Sequence, residues 1–114
     1  MGMGKRSVWM YVKPLDFRKQ VNGLVEVVME EMKRRPNDGA IYIFRNRQRD
    51  KLKILMWDRN GFVMGYKRLE RGKFDIPIRE CGPIEMTWRQ LMMLVSGMPV
   101  LRFGKGAEKE VAFS

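Results

Sequence analysis

Asn60-Gly61 lies between two runs that favour extended backbone, Leu52-Lys53-Ile54-Leu55-Met56-Trp57 and Phe62-Val63-Met64-Gly65-Tyr66-Lys67-Arg68-Leu69. A type I′ turn needs positive φ at both central residues, and Asn and Gly are the side chains that tolerate it. The pair therefore predicts a tight hairpin and an antiparallel sheet. Ala40-Ile41-Tyr42-Ile43-Phe44 adds a third strand, joined to the hairpin by the longer and strongly basic connection Arg45 to Lys51. Three consecutive antiparallel strands make a meander, and one amphipathic helix packed on a face gives it a core.

The flanking sequence supplies that helix. Val8-Trp9-Met10-Tyr11-Val12 reads as a short strand that stops at Pro14, and Asp16 reads as a helix N-cap. Phe17, Val21, Leu24, Val25, Val28 and Met32 fall at helical spacing, with Lys19, Asn22, Glu26 and Glu30 opposite. Lys33, Arg34 and Arg35 complement the dipole at its C-terminal end, and Pro36 stops it. Gly23 inside the helix should cost about 1 kcal/mol relative to Ala. Further on, Thr87-Trp88-Arg89-Gln90 matches a capping box, and Trp88, Leu91, Met92 and Val95 form the stripe of a short C-terminal helix closed by Gly97 and Pro99. The expected fold is α+β: an antiparallel β-meander of three to four strands packed against an amphipathic helix, with a short C-terminal helix. At 114 residues it should be a single domain, with an ordered core over about 8–103 and flexible ends at 1–6 and 104–114.

Charge and residue inventory narrow the function. The chain carries 23 Lys+Arg against 13 Asp+Glu, a net charge of +10, so its expected partner is a polyanion, nucleic acid first. Charges interrupt every apolar run, so no membrane span, export signal or lipid anchor is expected. One cysteine, Cys81, forms no internal disulfide and fits a reducing cytoplasm. Without histidine there is neither a nitrogen-and-sulfur metal site nor a histidine general base, and no cofactor is expected. Asp16, Asp50, Asp58 and Glu70 show no spacing that would gather them around Mg²⁺.

The densest signal is Arg45-Asn46-Arg47-Gln48-Arg49-Asp50-Lys51-Leu52-Lys53, five cations and one anion in nine residues. If extended, Arg45, Arg47, Arg49, Lys51 and Lys53 share one face at about 6.6 Å intervals, a row suited to a phosphate backbone. Asn46 and Gln48 are candidates for base edges, because an amide can pair bidentately with adenine. Lys67, Arg68, Arg71 and Lys73 form a second cluster, and meander topology brings the end of the third strand back to the start of the second. The aromatics Trp9, Tyr11, Tyr42, Phe44, Trp57, Phe62 and Tyr66 are read chiefly as core, with base stacking as the lesser reading.

The run from Phe44 through Arg45-Asn46-Arg47-Gln48-Arg49-Asp50-Lys51-Leu52-Lys53 to Trp57-Asp58-Arg59-Asn60-Gly61-Phe62 resembles one family closely. Tyr66-Lys67-Arg68-Leu69-Glu70-Arg71-Gly72-Lys73-Phe74, Asp16-Phe17-Arg18-Lys19 and Gly39 extend the match over residues 8 to 96. That family is the TnpB-type accessory protein, the second open reading frame product of bacterial insertion-sequence family sixty-six. It is distinct from the RNA-guided nuclease of the same name. The resemblance implies a role in transposition beside a separate transposase that supplies the strand-transfer chemistry, and it implies no active site. The combined expectation is a non-enzymatic accessory protein that binds nucleic acid, DNA before RNA, through the basic meander. The competing expectation is a module whose cations and Met-rich C-terminal helix dock on the transposase.

Overall fold

Val8 to Pro14 forms the first strand, β1, and Leu15 still donates its N–H to the Arg45 carbonyl at 2.9 Å before the chain turns. The structure, a computed structural model, describes residues 6–77 and 82–98. The expected flexible ends, apart from Arg6, lie outside the described residues, as do Cys81 and Pro99. Arg6 itself donates through Nη1 to the carbonyls of Gly39, at 2.7 Å, and Trp57, at 3.1 Å.

The first helix, α1, spans Val21–Glu30, shorter than the expected run from Phe17. Asp16 is not its N-cap. The Asp16 carboxylate instead accepts from the backbone N–H of Arg18 at 2.9 Å and from its guanidinium at 2.7 Å, and Lys19 N–H closes a turn on the Asp16 carbonyl. That local pairing occupies the oxygens a helix would need, and the cap position falls to Gln20, in extended backbone with no side-chain bond. At the far end Lys33 takes a left-handed conformation, φ 57°, which ends the helical path before Pro36. Leu24, Val27, Val28 and Met32 are the buried face.

Four more strands follow: β2 (Ile41–Arg45), β3 (Lys51–Asp58), β4 (Gly61–Arg68) and β5 (Ile84–Met86). The helix α2 (Trp88–Val95) ends the described chain, and both halves of its capping box are formed: Gln90 N–H donates to Thr87 Oγ1 at 3.0 Å and Thr87 N–H to Gln90 Oε1 at 2.9 Å. Gly97, at φ 80°, and Met98 close its C-terminal end by donating to the carbonyls of Leu94 and Met93.

The sheet has five strands in the order β4-β3-β2-β1-β5. The meander β2-β3-β4 is antiparallel as expected, and it is extended by two strands on the β2 side. There β1 runs parallel to β2, with α1 as the crossover between them, and β5 pairs antiparallel to β1. One face, built on Tyr11, Tyr42, Phe44 and Leu55, is covered by α1. The other, built on Val8, Met10, Ile41, Ile43 and Leu52, is covered by Leu91 and Leu94 of α2 together with Phe74 and Ile76. Helices therefore cover both faces, where the sequence reading placed the main helix on one.

The β3–β4 hairpin forms with its turn one residue early. Asp58 pairs with Gly61, so the loop residues are Arg59 and Asn60, and of these Arg59 has positive φ, 55°. The type I′ turn centred on Asn60-Gly61 is therefore not the one used. This register sets Trp57 opposite Phe62, with ring centroids 4.9 Å apart in an edge-to-face arrangement. Such a cross-strand aromatic pair stabilises a register directly. No helix among the described residues is long and apolar enough to cross a membrane.

Candidate functional site

The basic stretch after β2 is not extended. Arg45 is the last residue of β2 and Lys51 the first of β3, and the five residues between them fold around the Asn46 side chain. Asn46 Oδ1 accepts from the backbone N–H of Asp50 at 3.1 Å and of Lys51 at 3.0 Å, and its Nδ2 donates to Asp50 Oδ1 and to Gln48 Oε1. Asn46 is buried, and its amide is fully engaged in shaping the loop. The hydrogen bond from Asn46 holds the Asp50 carboxyl below the usual aspartate range. Arg49 adopts φ 61° to complete the turn.

This loop meets the stretch that follows β4. Leu69 N–H donates to the Asp50 carbonyl at 2.8 Å, Phe74 N–H to the Arg49 carbonyl at 2.6 Å and Lys73 Nζ to the Gln48 carbonyl at 3.2 Å. Within the sheet Lys51 pairs with Arg68 and Leu52 with Lys67. The two basic clusters thus meet at one end of the sheet, as the meander topology requires.

The row of five cations on one face does not form. Arg45 pairs with Leu52, on the sheet face opposite Lys51 and Lys53, because the chain turns back between them. The Arg45 guanidinium is buried and donates through Nε to the Val12 carbonyl at 2.7 Å. Burial, with repulsion from Arg49 and Arg47, holds its pKa below the usual arginine range. Lys53 is buried too, and its ammonium donates to the carbonyls of Phe17 at 2.8 Å and Lys19 at 2.6 Å while lying 5.0 Å from the Phe17 ring centroid. Burial pushes its pKa down. Arg45, Asn46 and Lys53 are therefore buried and hydrogen-bonded within the fold rather than members of an exposed row.

The remaining candidates reach the surface in different states. Lys67 donates through Nζ to the Val95 carbonyl at 2.6 Å, at the C-terminal end of α2, where a cation complements the helix dipole. Arg68 pairs with Glu70 at 3.0 Å, both groups well exposed. Gln48 and Lys73 are exposed and joined through the Gln48 carbonyl. Arg47 and Arg71 are exposed and Arg49 and Lys51 half-buried; none of these four makes a side-chain hydrogen bond or ion pair among the described residues, and the Lys51 ammonium acts on the neighbouring Asp50 carboxylate through space.

Beside this end, on the α1 face, lies an open cleft of about 570 Å³ whose walls include Phe17, Arg18, Lys51, Met64 and Tyr66. The Phe17 and Tyr66 rings stand 6.5 Å apart, inclined at 57°. Among the sequence-derived aromatics Tyr11, Tyr42 and Phe44 are buried, whereas Tyr66 is 55% exposed. No local pattern marks Phe17 and Arg18 as site residues, because they meet Tyr66 only through a contact across some fifty residues of chain. Among the described residues no group of three or more His, Cys, Asp or Glu side chains is placed to hold a metal ion.

The comparison with known families decides what kind of protein carries this surface: the family described as IS66 Orf2 like protein matches residues 6–105. The chain belongs to that family. Its members are accessory proteins of a transposable element, and the IS66 Orf2 like family is not a known enzyme class. The chain is 36% identical over 86 residues to the uncharacterized protein y4jC of Sinorhizobium fredii, covering 75% of this chain and 74% of that protein. It is also 36% identical over 91 residues to the uncharacterized protein y4hO of the same organism, covering 80% and 79%. No solved structure matches it.

Proposed function

We propose that this transposition accessory protein binds nucleic acid, element DNA in the first instance, through the end of the sheet where the 46–50 loop meets residues 67–73. One observation carries the reading. Arg47, Arg49, Lys51 and Arg71 sit on two segments that are hydrogen-bonded together, and none of the four makes a side-chain hydrogen bond or ion pair among the described residues. Asp50 in the same loop offsets only part of this charge, and on a chain of net charge +10 a phosphate backbone completes it while releasing counterions. Arg68 and Lys73 border the patch while bonded to Glu70 and the Gln48 carbonyl, and Gln48 is the amide left at its surface. The protein performs no chemistry in this reading: it positions DNA for the separate transposase, in the cytoplasm.

Fluorescence anisotropy tests it, with duplexes of the element's terminal repeats and scrambled duplexes, across a salt series, for the wild type and an Arg47/Arg49/Arg71→Ala variant. Binding that falls steeply with salt and is lost in the variant is expected, and preference for the terminal repeats would make the role one of targeting. Unchanged binding by the variant would remove this surface from consideration. A second reading rests on Met92 and Met98, which are more than half exposed on and after α2, and makes that end a docking surface for the transposase. A pull-down with transposase in the presence of nuclease separates the two, since a DNA-bridged complex disappears.

A further inference from the structure

We infer that the cleft between the residues leading into α1 and the edge strand β4 takes an unpaired nucleobase, so that the protein holds a single-stranded or locally opened segment. The inference rests on the nucleic-acid reading above and adds to it which form of nucleic acid is held. Three features of the cleft converge on this ligand.

The first is a largely exposed aromatic ring on one wall. Tyr66 projects from β4 with 55% of its surface exposed, on an outer strand whose other large apolar neighbour on that face, Met64, is half-buried. Phe17 touches it in a tilted contact at 6.5 Å and 57°, which leaves more than half of Tyr66 exposed. A ring so placed offers a π-face, and a base can use that face only when its own stacking partner is gone.

The second is charge on the rim. Lys51 lies two residues from Lys53 on the same sheet face, lines the cleft and makes no side-chain hydrogen bond or ion pair among the described residues. It pairs across the sheet with Arg68, the next residue on that face after Tyr66. A phosphate on Lys51, beside Arg68, would place its nucleoside one strand step away, over the ring. The same cations border the surface proposed above, so a strand can run from the patch into the cleft without leaving positive charge.

The third is that the wall is built and fixed. The buried Lys53 ammonium holds the carbonyls of Phe17 and Lys19, which locks the Phe17 side of the cleft against β3. The volume of about 570 Å³ falls among those of small-molecule sites, roughly 300–1,000 Å³. Asp16, the one carboxylate on the wall, is paired with Arg18, which offsets its repulsion of a phosphate.

The test uses the full chain with labelled 20-nucleotide single-stranded DNA and the duplex of the same sequence, for wild type, Tyr66→Ala, Tyr66→Phe and Arg47→Ala/Arg71→Ala, with circular dichroism on each. Tyr66→Ala is expected to weaken single-strand binding about tenfold or more while changing duplex binding less than twofold, and Tyr66→Phe to keep the wild-type affinity. The arginine pair should weaken both forms. Equal effects of Tyr66→Ala on the two forms, or none on either, would overturn the cleft while leaving the basic surface standing. Absence of binding by the wild type to either form would overturn both. A single-stranded RNA of the same sequence, run beside the DNA, tells whether the sugar matters to the same site.

Discussion

Lys53 and Arg47 are six residues apart in one basic run, yet the fold gives them opposite tasks. The Lys53 ammonium satisfies two backbone carbonyls in the turn before α1, and burial holds its pKa down. Lys53→Met leaves those carbonyls without a donor and is expected to lower stability by about 1–3 kcal/mol, read from urea denaturation. Arg47→Ala should leave the urea midpoint unmoved and weaken nucleic-acid binding. The reverse pattern would exchange their assignments. Arg49 belongs to a third kind, because its backbone sits at φ 61°, where a residue with a Cβ is disfavoured and glycine is not. Arg49→Gly should therefore raise stability by about 0.5–1 kcal/mol while reducing affinity for DNA, measured on one preparation by denaturation and anisotropy. Binding that survives this change undiminished would mean that Arg49 serves the turn alone. None of these differences was legible in the run itself. Alternation assumes an extended chain, and it cannot see that Asn46 folds the loop or that the partners of Lys53 lie 34 and 36 residues away.

At the scale of elements, what the sequence encodes locally is what it announces. The α2 capping box is written in Thr87 and Gln90, and both bonds form. Thr87→Ala is expected to cost about 1 kcal/mol, seen as a lowered melting temperature, with Thr87→Ser close to wild type. The meander was equally legible, since each strand is a short apolar run and each connection is short. The parallel pairing of β1 with β2 was not, because it depends on α1 packing back across the sheet, and β5 is only three residues long. The start of α1 misled for a related reason: Asp16 has the chemistry of a cap, but Arg18 claims its carboxylate two residues later. Gly23 shows the same limit. Propensity alone makes Gly23→Ala worth about 1 kcal/mol of added stability. In the fold, a Cβ at that position would stand 2.9 Å from Lys19 Cβ, and the Lys19 carbonyl is one of the two that Lys53 holds. Gly23→Ala is therefore expected to give no gain in melting temperature; a rise equal to the propensity difference would show that the turn yields freely.

For the molecule as a whole, pH and salt probe different parts of the charge distribution. Tyr11 and Tyr42 are both pushed up to about 12, each chiefly by burial; Tyr11 also donates to the Glu31 carboxylate at 2.6 Å, and Asp38 acts on Tyr42 against the opposing pull of Arg34. Phenols that ionise later in the folded chain contribute stability that is complete below the unfolded value near 10 and lost as pH rises towards 12. Lys53, with its pKa lowered, acts in the opposite sense just below the ordinary lysine value. Urea midpoints between pH 9 and 12 should accordingly fall most steeply above 10, with a shallower fall in Tyr42→Phe. Salt reads the surface instead. If all nine cations of the two basic clusters met phosphates, log K against log salt would have a slope of about −8, whereas the four without partners give about −3.6. Arg45 and Lys53 are buried, and Lys67, Arg68 and Lys73 already have acceptors within the fold. A slope near −3.6 on duplex DNA is therefore expected, shrinking by about 0.9 for each of Arg47, Arg49, Lys51 and Arg71 replaced by Ala and unchanged by Lys67→Ala. A slope of about −6.3, seven contacts, would mean that Lys67, Arg68 and Lys73 leave their internal acceptors on binding, and Lys67→Ala would then remove about 0.9 of it; a slope of about −8 would require the buried Arg45 and Lys53 to reach phosphates as well.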